Sequence, residues 1–253
     1  MSRRFNDHFA GVASHYASHR PGYPPELFAW LADQLVERRL AWDCATGSGQ
    51  AALALADHFD QVLATDASSS QIEAAKPWPG VQYRVAPADA SGLEAQSVDL
   101  VTVAQALHWF ELGPFYAEVR RVLRPGGLLA VWTYGVFQVV GDAQDEIQWH
   151  LDRFYHQTVG PYWPPERRHV ENGYAELAFP FDELVVPPFA MQVDWTLDDL
   201  AGYLRSWSAT SRYCELVGVD PVTELTRELA PLWGEASRQV SWPLSLKVGR
   251  FEP

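Results

Sequence analysis

Residues 41–50 read Ala-Trp-Asp-Cys-Ala-Thr-Gly-Ser-Gly-Gln, and no other stretch constrains the fold as tightly. A helix-like run over 51–59 follows, then a short apolar run that ends in Asp66. Strand, glycine turn, helix, strand and acid, in that order, make the first half of a nucleotide-binding α/β unit. Gly47 and Gly49 let the backbone approach a ligand where a Cβ would intrude. Asp66 stands 19 residues after Gly47, where a carboxylate takes both ribose hydroxyls.

Asp43 decides which nucleotide suits the turn. A dinucleotide seats its pyrophosphate on the helix N-terminus after the glycines, and an acid two residues before the turn would repel it. A ligand with a cationic ammonium or sulfonium and no phosphate is attracted instead. S-adenosylmethionine meets that description. The competing reading is that Asp43 only ties down the turn by hydrogen bonds.

The 253 residues fit one α/β domain with an insertion better than two domains. A 47% apolar and 13% aromatic content supports a substantial core, and 11 Trp leave some to line a pocket or fill that core. A formal charge of −13 without a basic run argues against nucleic acid and anionic membranes as partners. Cys44 and Cys214, the only cysteines, make neither a disulfide framework nor a zinc site. No signal-peptide core and no run of about 18 apolar residues occurs. These features predict a soluble cytoplasmic protein. Only two lysines occur, Lys76 and Lys247. A P-loop would need Lys where Gln50 and Ala51 stand, and no Gly-x-Ser-x-Gly elbow supplies a hydrolase nucleophile.

Helical spacing over 25–39 predicts an amphipathic helix leading into the first strand. Further strands are expected at 61–65, 81–85, 98–103 and 128–132, with helices at 68–75 and 115–123 between them. The βα rhythm breaks at 135–179, where a helix over 145–157 and the loop Gly160-Pro161-Tyr162-Trp163-Pro164-Pro165 read as an insertion over the carboxyl ends of the strands. A strand interrupted by Pro187-Pro188, helices at 197–206 and 222–234, and a closing strand at 240–251 complete the chain. The division expected is a cap over 1–35, a cofactor-binding core over 36–134, a substrate-capping insertion over 135–180 and C-terminal elements over 181–253, all in one domain.

With those elements placed, the chain resembles the class I S-adenosylmethionine-dependent methyltransferases. It is similar to the small-molecule group that includes trans-aconitate methyltransferases. The resemblance rests on Tyr16-x-x-x-Arg20-Pro21-Gly22-Tyr23-Pro24, Asp43-Cys44-Ala45-Thr46-Gly47-Ser48-Gly49-Gln50, Asp66-Ala67-Ser68 with Gln71, Ala86-Pro87-Ala88-Asp89, Gln105-Ala106-Leu107-His108-Trp109-Phe110 and Leu123-Arg124-Pro125-Gly126-Gly127. It implies a Rossmann-like, mostly parallel seven-stranded sheet with helices on both faces, an N-terminal helical cap and an insertion after strand five. Asp43 and the backbone of 45–49, including Thr46, would hold the methionine portion. Asp66 would take the ribose and Ala67 would pack on the adenine near Gln71. Asp89 with Ala88 would meet the exocyclic amine, and Gln105 would close the site. Tyr16 and Arg20 would belong to a lid. One departure is Ala45, which replaces the family's first glycine; an extended backbone there would retain binding.

By the same resemblance a small-molecule acceptor, a carboxylate or hydroxyl, would meet the methyl group beside His108. That imidazole is the candidate base, with an expected inflection near pH 6–7, and simple packing is its alternative. Trp109, Trp132, Tyr134 and Trp207 would wall the pocket, with core packing as the other role open to Trp132, Tyr134 and Trp207, and Arg20, Arg167, Arg168, Arg205 and Arg212 could hold an anion. No metal site is assigned, and the protein is expected as a monomer or homodimer. An NAD-dependent oxidoreductase and a non-catalytic cofactor-binding protein of the same fold remain the alternatives.

Overall fold

The computed structural model describes residues 21–252. Tyr16 and Arg20, the expected lid residues, lie outside the described residues. The first helix, α1 (Pro25–Asp33), starts with Pro at a position where the missing N–H costs nothing. It buries Leu27, Phe28, Leu31 and Ala32 along one stripe.

Five parallel strands form the centre. They are β1 (Leu40–Cys44), β2 (Gln61–Asp66), β3 (Val81–Val85), β4 (Val98–Ala104) and β5 (Leu123–Tyr134), in the order β3-β2-β1-β4-β5. β1 and β4 are buried on both faces, as central parallel strands must be. Helices α2 (Gln50–Leu55), α3 (Ser69–Ala74) and α4 (Leu112–Val122) supply crossovers. One apolar layer joins α1 and α2 to Val62, Leu100 and Trp132. The opposite layer joins Phe115, Val119 and Val122 of α4 to Trp42, Val101 and Leu129. Strand order reverses between β1 and β4, so their carboxyl ends open a crevice at the switch point.

The last strand, β9 (Arg238–Arg250), does two jobs. Its second half runs antiparallel to β5, from Tyr134 opposite Leu244 to Leu128 opposite Arg250. Its first half leaves that sheet and pairs with β6 (Gln138–Val139) and β8 (Ala190–Trp195). The short β7 (Asp182–Glu183) adds to the far end of β9. The path has seven strands, β3-β2-β1-β4-β5-β9-β6, and β7 and β8 bring the sheet to nine. The prolines at 187 and 188 split the strand expected there into these two pieces.

A second apolar cluster sits beside the sheet, on the early half of β9. It gathers α5 (Gln144–Arg153) from the insertion with the C-terminal helices α7 (Leu197–Arg205), α8 (Ser208–Val217) and α9 (Pro221–Trp233). The remaining insertion helix, α6 (Arg167–Glu171), lies before Tyr174. The sequence reading did not include α8.

At the opposite end from the crevice, buried Asp99 holds the entry to β1. It accepts from the backbone N–H of Arg39 (2.8 Å) and Leu40 (3.0 Å) and from the Arg124 guanidinium (2.5 Å). Arg124 reaches it because the expected turn at 124–127 is an irregularity inside β5, where the register shifts between Val98 and Leu100. Asp99→Ala leaves two N–H groups and a guanidinium without their acceptor, and is expected to cost about 2–4 kcal/mol. Chemical denaturation checks this, and an unchanged midpoint would contradict it.

Candidate functional site

The turn after β1 is built from left-handed residues. Ala45 has φ 56°, Gly47 φ 57° and Gly49 φ 93°. The extended backbone expected at Ala45 is therefore incorrect: the substituted residue carries a strain of order 1–2 kcal/mol that glycine would avoid. Thr46 N–H donates to Thr65 O (2.9 Å), and Gly49 N–H to Thr46 O (3.0 Å), which locks the curl. The room opened by the missing Cβ at Gly49 is taken from inside, because a Cβ there would stand 2.4 Å from the Tyr83 hydroxyl. That hydroxyl is buried and has no hydrogen-bond partner among the described residues.

Asp43 sits beneath this turn and is 1% exposed. Its carboxylate accepts from Thr46 Oγ1 (2.5 Å) and Thr102 Oγ1 (2.7 Å). Burial raises its pKa to about 6 against the pull of these donors, and the nearby Asp66 charge adds to the rise. No cation offsets it among the described residues. Both readings of Asp43 thus have a physical basis, since it ties down the turn and also concentrates negative charge there.

Asp66 ends β2 and bridges two elements. Gly47 N–H donates to Oδ2 (2.9 Å) and Ser68 N–H to Oδ1 (2.9 Å). A carboxylate oxygen offers more than one acceptor direction. Ala67 and Asp89 are exposed and Gln71 and Ala88 half-buried at the neighbouring strand ends. The segment before α1 reaches the same turn, where Gln50 Nε2 donates to Pro21 O (2.9 Å).

Gln105 is turned away from that cradle. Its Nε2 donates to Tyr134 O (3.0 Å), while its Oε1 accepts from Tyr134 N–H (3.0 Å) and from the Thr133 hydroxyl. The side chain expected to close the site instead ties β4 to β5, in a left-handed backbone of φ 57°.

The other expected residues separate. Trp132 is wholly buried among Tyr23 and Phe28, with ring centroids at 5.3 and 6.2 Å, so it is core and not pocket wall. The alternation of β5 sends it to the α1 face and Thr133 to the other. Tyr134 is buried at the edge of the second cluster. Trp207 is buried inside that cluster, between Trp163 (5.4 Å) and Tyr155 (5.6 Å). Trp109 is exposed beside His108.

His108 remains at the exit of β4, in the 3₁₀ turn Leu107–Trp109. Its Nδ1 lies 2.9 Å from the hydroxyl of Tyr174, a residue of the insertion. Burial lowers its pKa to about 3, and the nearby charges of Arg167 and His169 add to the fall. The imidazole is neutral at every ordinary pH, so the titration expected near 6–7 does not belong to it.

Arg167 separates from the other candidate cations. Arg205 is paired with Asp220 (2.8 Å), Arg212 reaches Tyr162 O (3.4 Å) and Arg168 is exposed. Arg167 lies over the Trp163 ring at 4.7 Å, and its Nε donates to Tyr155 OH (2.7 Å). The Tyr155 proton goes to Glu171 (2.6 Å). Tyr155 lies in a single π-helical turn, Phe154–Thr158, the kind of local widening often found at functional sites. Sequence reasoning missed Tyr155, Thr133 and Tyr174; the Asn172-Gly173 turn signal was the one local hint to the last. Among the described residues no His/Cys/Asp/Glu group could hold a metal, and no helix is long and apolar enough to cross a membrane.

Comparison with known proteins gives a consistent family. A methyltransferase-domain family matches residues 42–131, the strands and turns just described. A provisionally named methyltransferase of Dictyostelium discoideum is 34% identical over 228 residues, covering 89% of this chain and 86% of its own. An uncharacterised methyltransferase of Mycobacterium tuberculosis is 35% identical over 126 residues, 49% of this chain and 51% of its own. A solved structure from Anaeromyxobacter dehalogenans, provisionally named a type II methyltransferase, is 44% identical with a TM-score of 0.87, covering 92% of this chain and 99% of its own.

Ala45→Gly should relieve the left-handed strain at the cost of a more flexible unfolded chain. The expected net gain is about 0.5–1 kcal/mol in chemical denaturation. A loss of stability would contradict the left-handed assignment of Ala45.

Proposed function

Since the chain belongs to the class I S-adenosylmethionine-dependent methyltransferases, we propose that its β1–β2–β3 crevice holds the cofactor and that the insertion presents a small-molecule acceptor to it through an oxygen, a carboxylate or a hydroxyl. Asp43 carries the first half of this reading. A carboxylate wholly removed from water, held by two hydroxyls and without a cation beside it among the described residues, favours a ligand that brings positive charge. The residues fit the cofactor in a second respect. The left-handed curl at 45, 47 and 49 keeps side chains out of the crevice mouth, and the Tyr83 hydroxyl, without a hydrogen-bond partner among the described residues, adjoins it.

In this arrangement Asp43 and the turn hold the methionine end, with Thr46 and Gly47 contributing backbone. Asp66 receives the ribose hydroxyls while keeping Gly47 and Ser68 in place. Ala67, Gln71, Ala88 and Asp89 border the adenine. Gln105 acts one step back, by fixing the β4 and β5 ends between which the acceptor enters. When bound, S-adenosylmethionine supplies an electrophilic methyl group on a sulfonium. The chain's share is alignment and exclusion of water, which together supply much of the rate for such a displacement. The insertion, through His108's partner Tyr174 and through Arg167, decides which acceptor fits.

The Asp43 reading fixes a sign. Its carboxyl has a folded pKa of about 6 and an ordinary value of 3.8, so the unliganded fold favours the protonated form. That contribution is present at low pH and is lost as pH rises through 6, on the order of 3 kcal/mol. Asp43→Asn is therefore expected to leave unliganded stability at pH 8 unchanged or higher. Its affinity for S-adenosylmethionine should fall about ten- to a hundred-fold. Wild-type affinity should weaken below pH 6, and the variant's should stay flat. Calorimetric titration from pH 5 to 8 reads both, and equal affinities at pH 8 would remove Asp43 from the cofactor site.

A further inference from the structure

Tyr83 stands in the middle of β3 and reaches the turn after β1 from below. Register places Tyr83 beside Ala64 of β2 and Ala64 beside Asp43 of β1, so the three side chains share one face of the sheet. Thr102 of β4, in register with Asp43 and bonded to it, extends the same row. Ala64 is small and wholly buried, which leaves the phenol a path across β2 toward the first strand. That path ends at Gly49. A Cβ built there would meet the Tyr83 hydroxyl oxygen first, then Cε1 at 2.9 Å and Cζ at 3.0 Å. Gly47 differs, since the nearest atom to a Cβ there would be Gln71 Oε1, at 3.8 Å.

Two facts make this contact more than core packing. The hydroxyl is buried without a hydrogen-bond partner among the described residues, so the fold keeps a polar atom that phenylalanine would spare it. The atom it keeps is also the one that reaches farthest toward the turn. Gly49, for its part, links the turn to α2 and to Asp43. Its N–H donates to Thr46 O (3.0 Å), its carbonyl accepts from Leu53 N–H (3.0 Å), and Thr46 Oγ1 donates to Asp43 (2.5 Å). A shift of Gly49 therefore passes to Thr46 and to the carboxylate beneath it. Position 49 excludes a side chain twice, by its φ of 93° and by the phenol.

We propose that Tyr83 is a positioning residue for the cofactor: its phenol tip fills the place of the missing Gly49 side chain from the core side and sets the height of the turn above Asp43. The proposal rests on the cofactor site proposed above and adds to it a residue that touches no ligand. The hydroxyl acts here by bulk and not by hydrogen bonding. Without that oxygen the turn can settle toward β2, and the backbone of 46–49 then meets the methionine end of the cofactor from the wrong height. The two glycines of the turn thus have separate reasons. Gly47 serves the curl alone, and Gly49 serves the curl and the phenol beneath it.

Calorimetric titration with S-adenosylhomocysteine, paired with chemical denaturation, tests the proposal. Tyr83→Phe should raise the unfolding midpoint and yet weaken binding about three- to tenfold. A hydroxyl that only packs would leave the affinity unchanged, and that result would overturn the proposal. Tyr83→Val removes the three atoms nearest to a Cβ at position 49. Gly49→Ala should then cost about tenfold less affinity in the Tyr83→Val background than in the wild type, where backbone strain and the phenol act together. Equal costs in the two backgrounds would also overturn it. Should Gly49→Ala fail to fold alone, the Tyr83→Phe affinity decides by itself. A wild type that binds no S-adenosylhomocysteine would strike instead at the function proposed above, and the same cycle read in denaturation midpoints then decides whether the phenol holds the turn.

Discussion

A buried carboxylate at the carboxyl end of the first strand, with no counter-ion among the described residues, is the constraint on which this site depends. Asp43 is removed from water and accepts from the Thr46 and Thr102 hydroxyls. Thr102 belongs to β4 and Thr46 to the turn, so the same carboxylate that stores the charge also joins the strands on either side of the topological switch point. The turn above it adds local strain at Ala45. Both are costs in the unliganded fold, and a cationic ligand in the crevice would offset the first. This is the familiar exchange in which a binding site is less stable than its scaffold could make it.

The insertion is a more balanced neighbourhood. Arg167 donates to the Tyr155 hydroxyl, whose proton goes to Glu171, and the His169 ring stands 4.0 Å from the Glu176 carboxylate. By taking both backbone groups of Tyr134 and the Thr133 proton, Gln105 ties the end of β4 to β5.

Much of the core was legible because its signals are local. The apolar runs of β1, β2, β4 and β5, the glycine turn and the acid at the end of β2 each declare themselves within a few residues, and all took their expected places. What was not legible depends on distant partners. Nothing near Ala45 reveals its left-handed backbone, which the bond from Thr46 to Thr65 enforces across the sheet. Nothing in a Gln after a strand indicates that its amide is spent 29 residues away. Trp132 and Trp207 suit a pocket wall or a core by type alone, and the packing of α1 on the sheet and the aromatic cluster of the C-terminal helices decide for core. Tyr174 and Tyr155 are ordinary tyrosines until a strained turn and a π-helical turn aim them.

The most direct measurement of the central claim is a crystal structure of the protein with S-adenosylhomocysteine. The account predicts the nucleoside at the carboxyl ends of β1–β3, its ribose hydroxyls on Asp66, its amino-acid end over the turn above Asp43, and its sulfur facing the side of the crevice where His108 and Tyr174 meet. A ligand seated elsewhere, or in the crevice but with its ribose away from Asp66 and its sulfur away from His108, would contradict it.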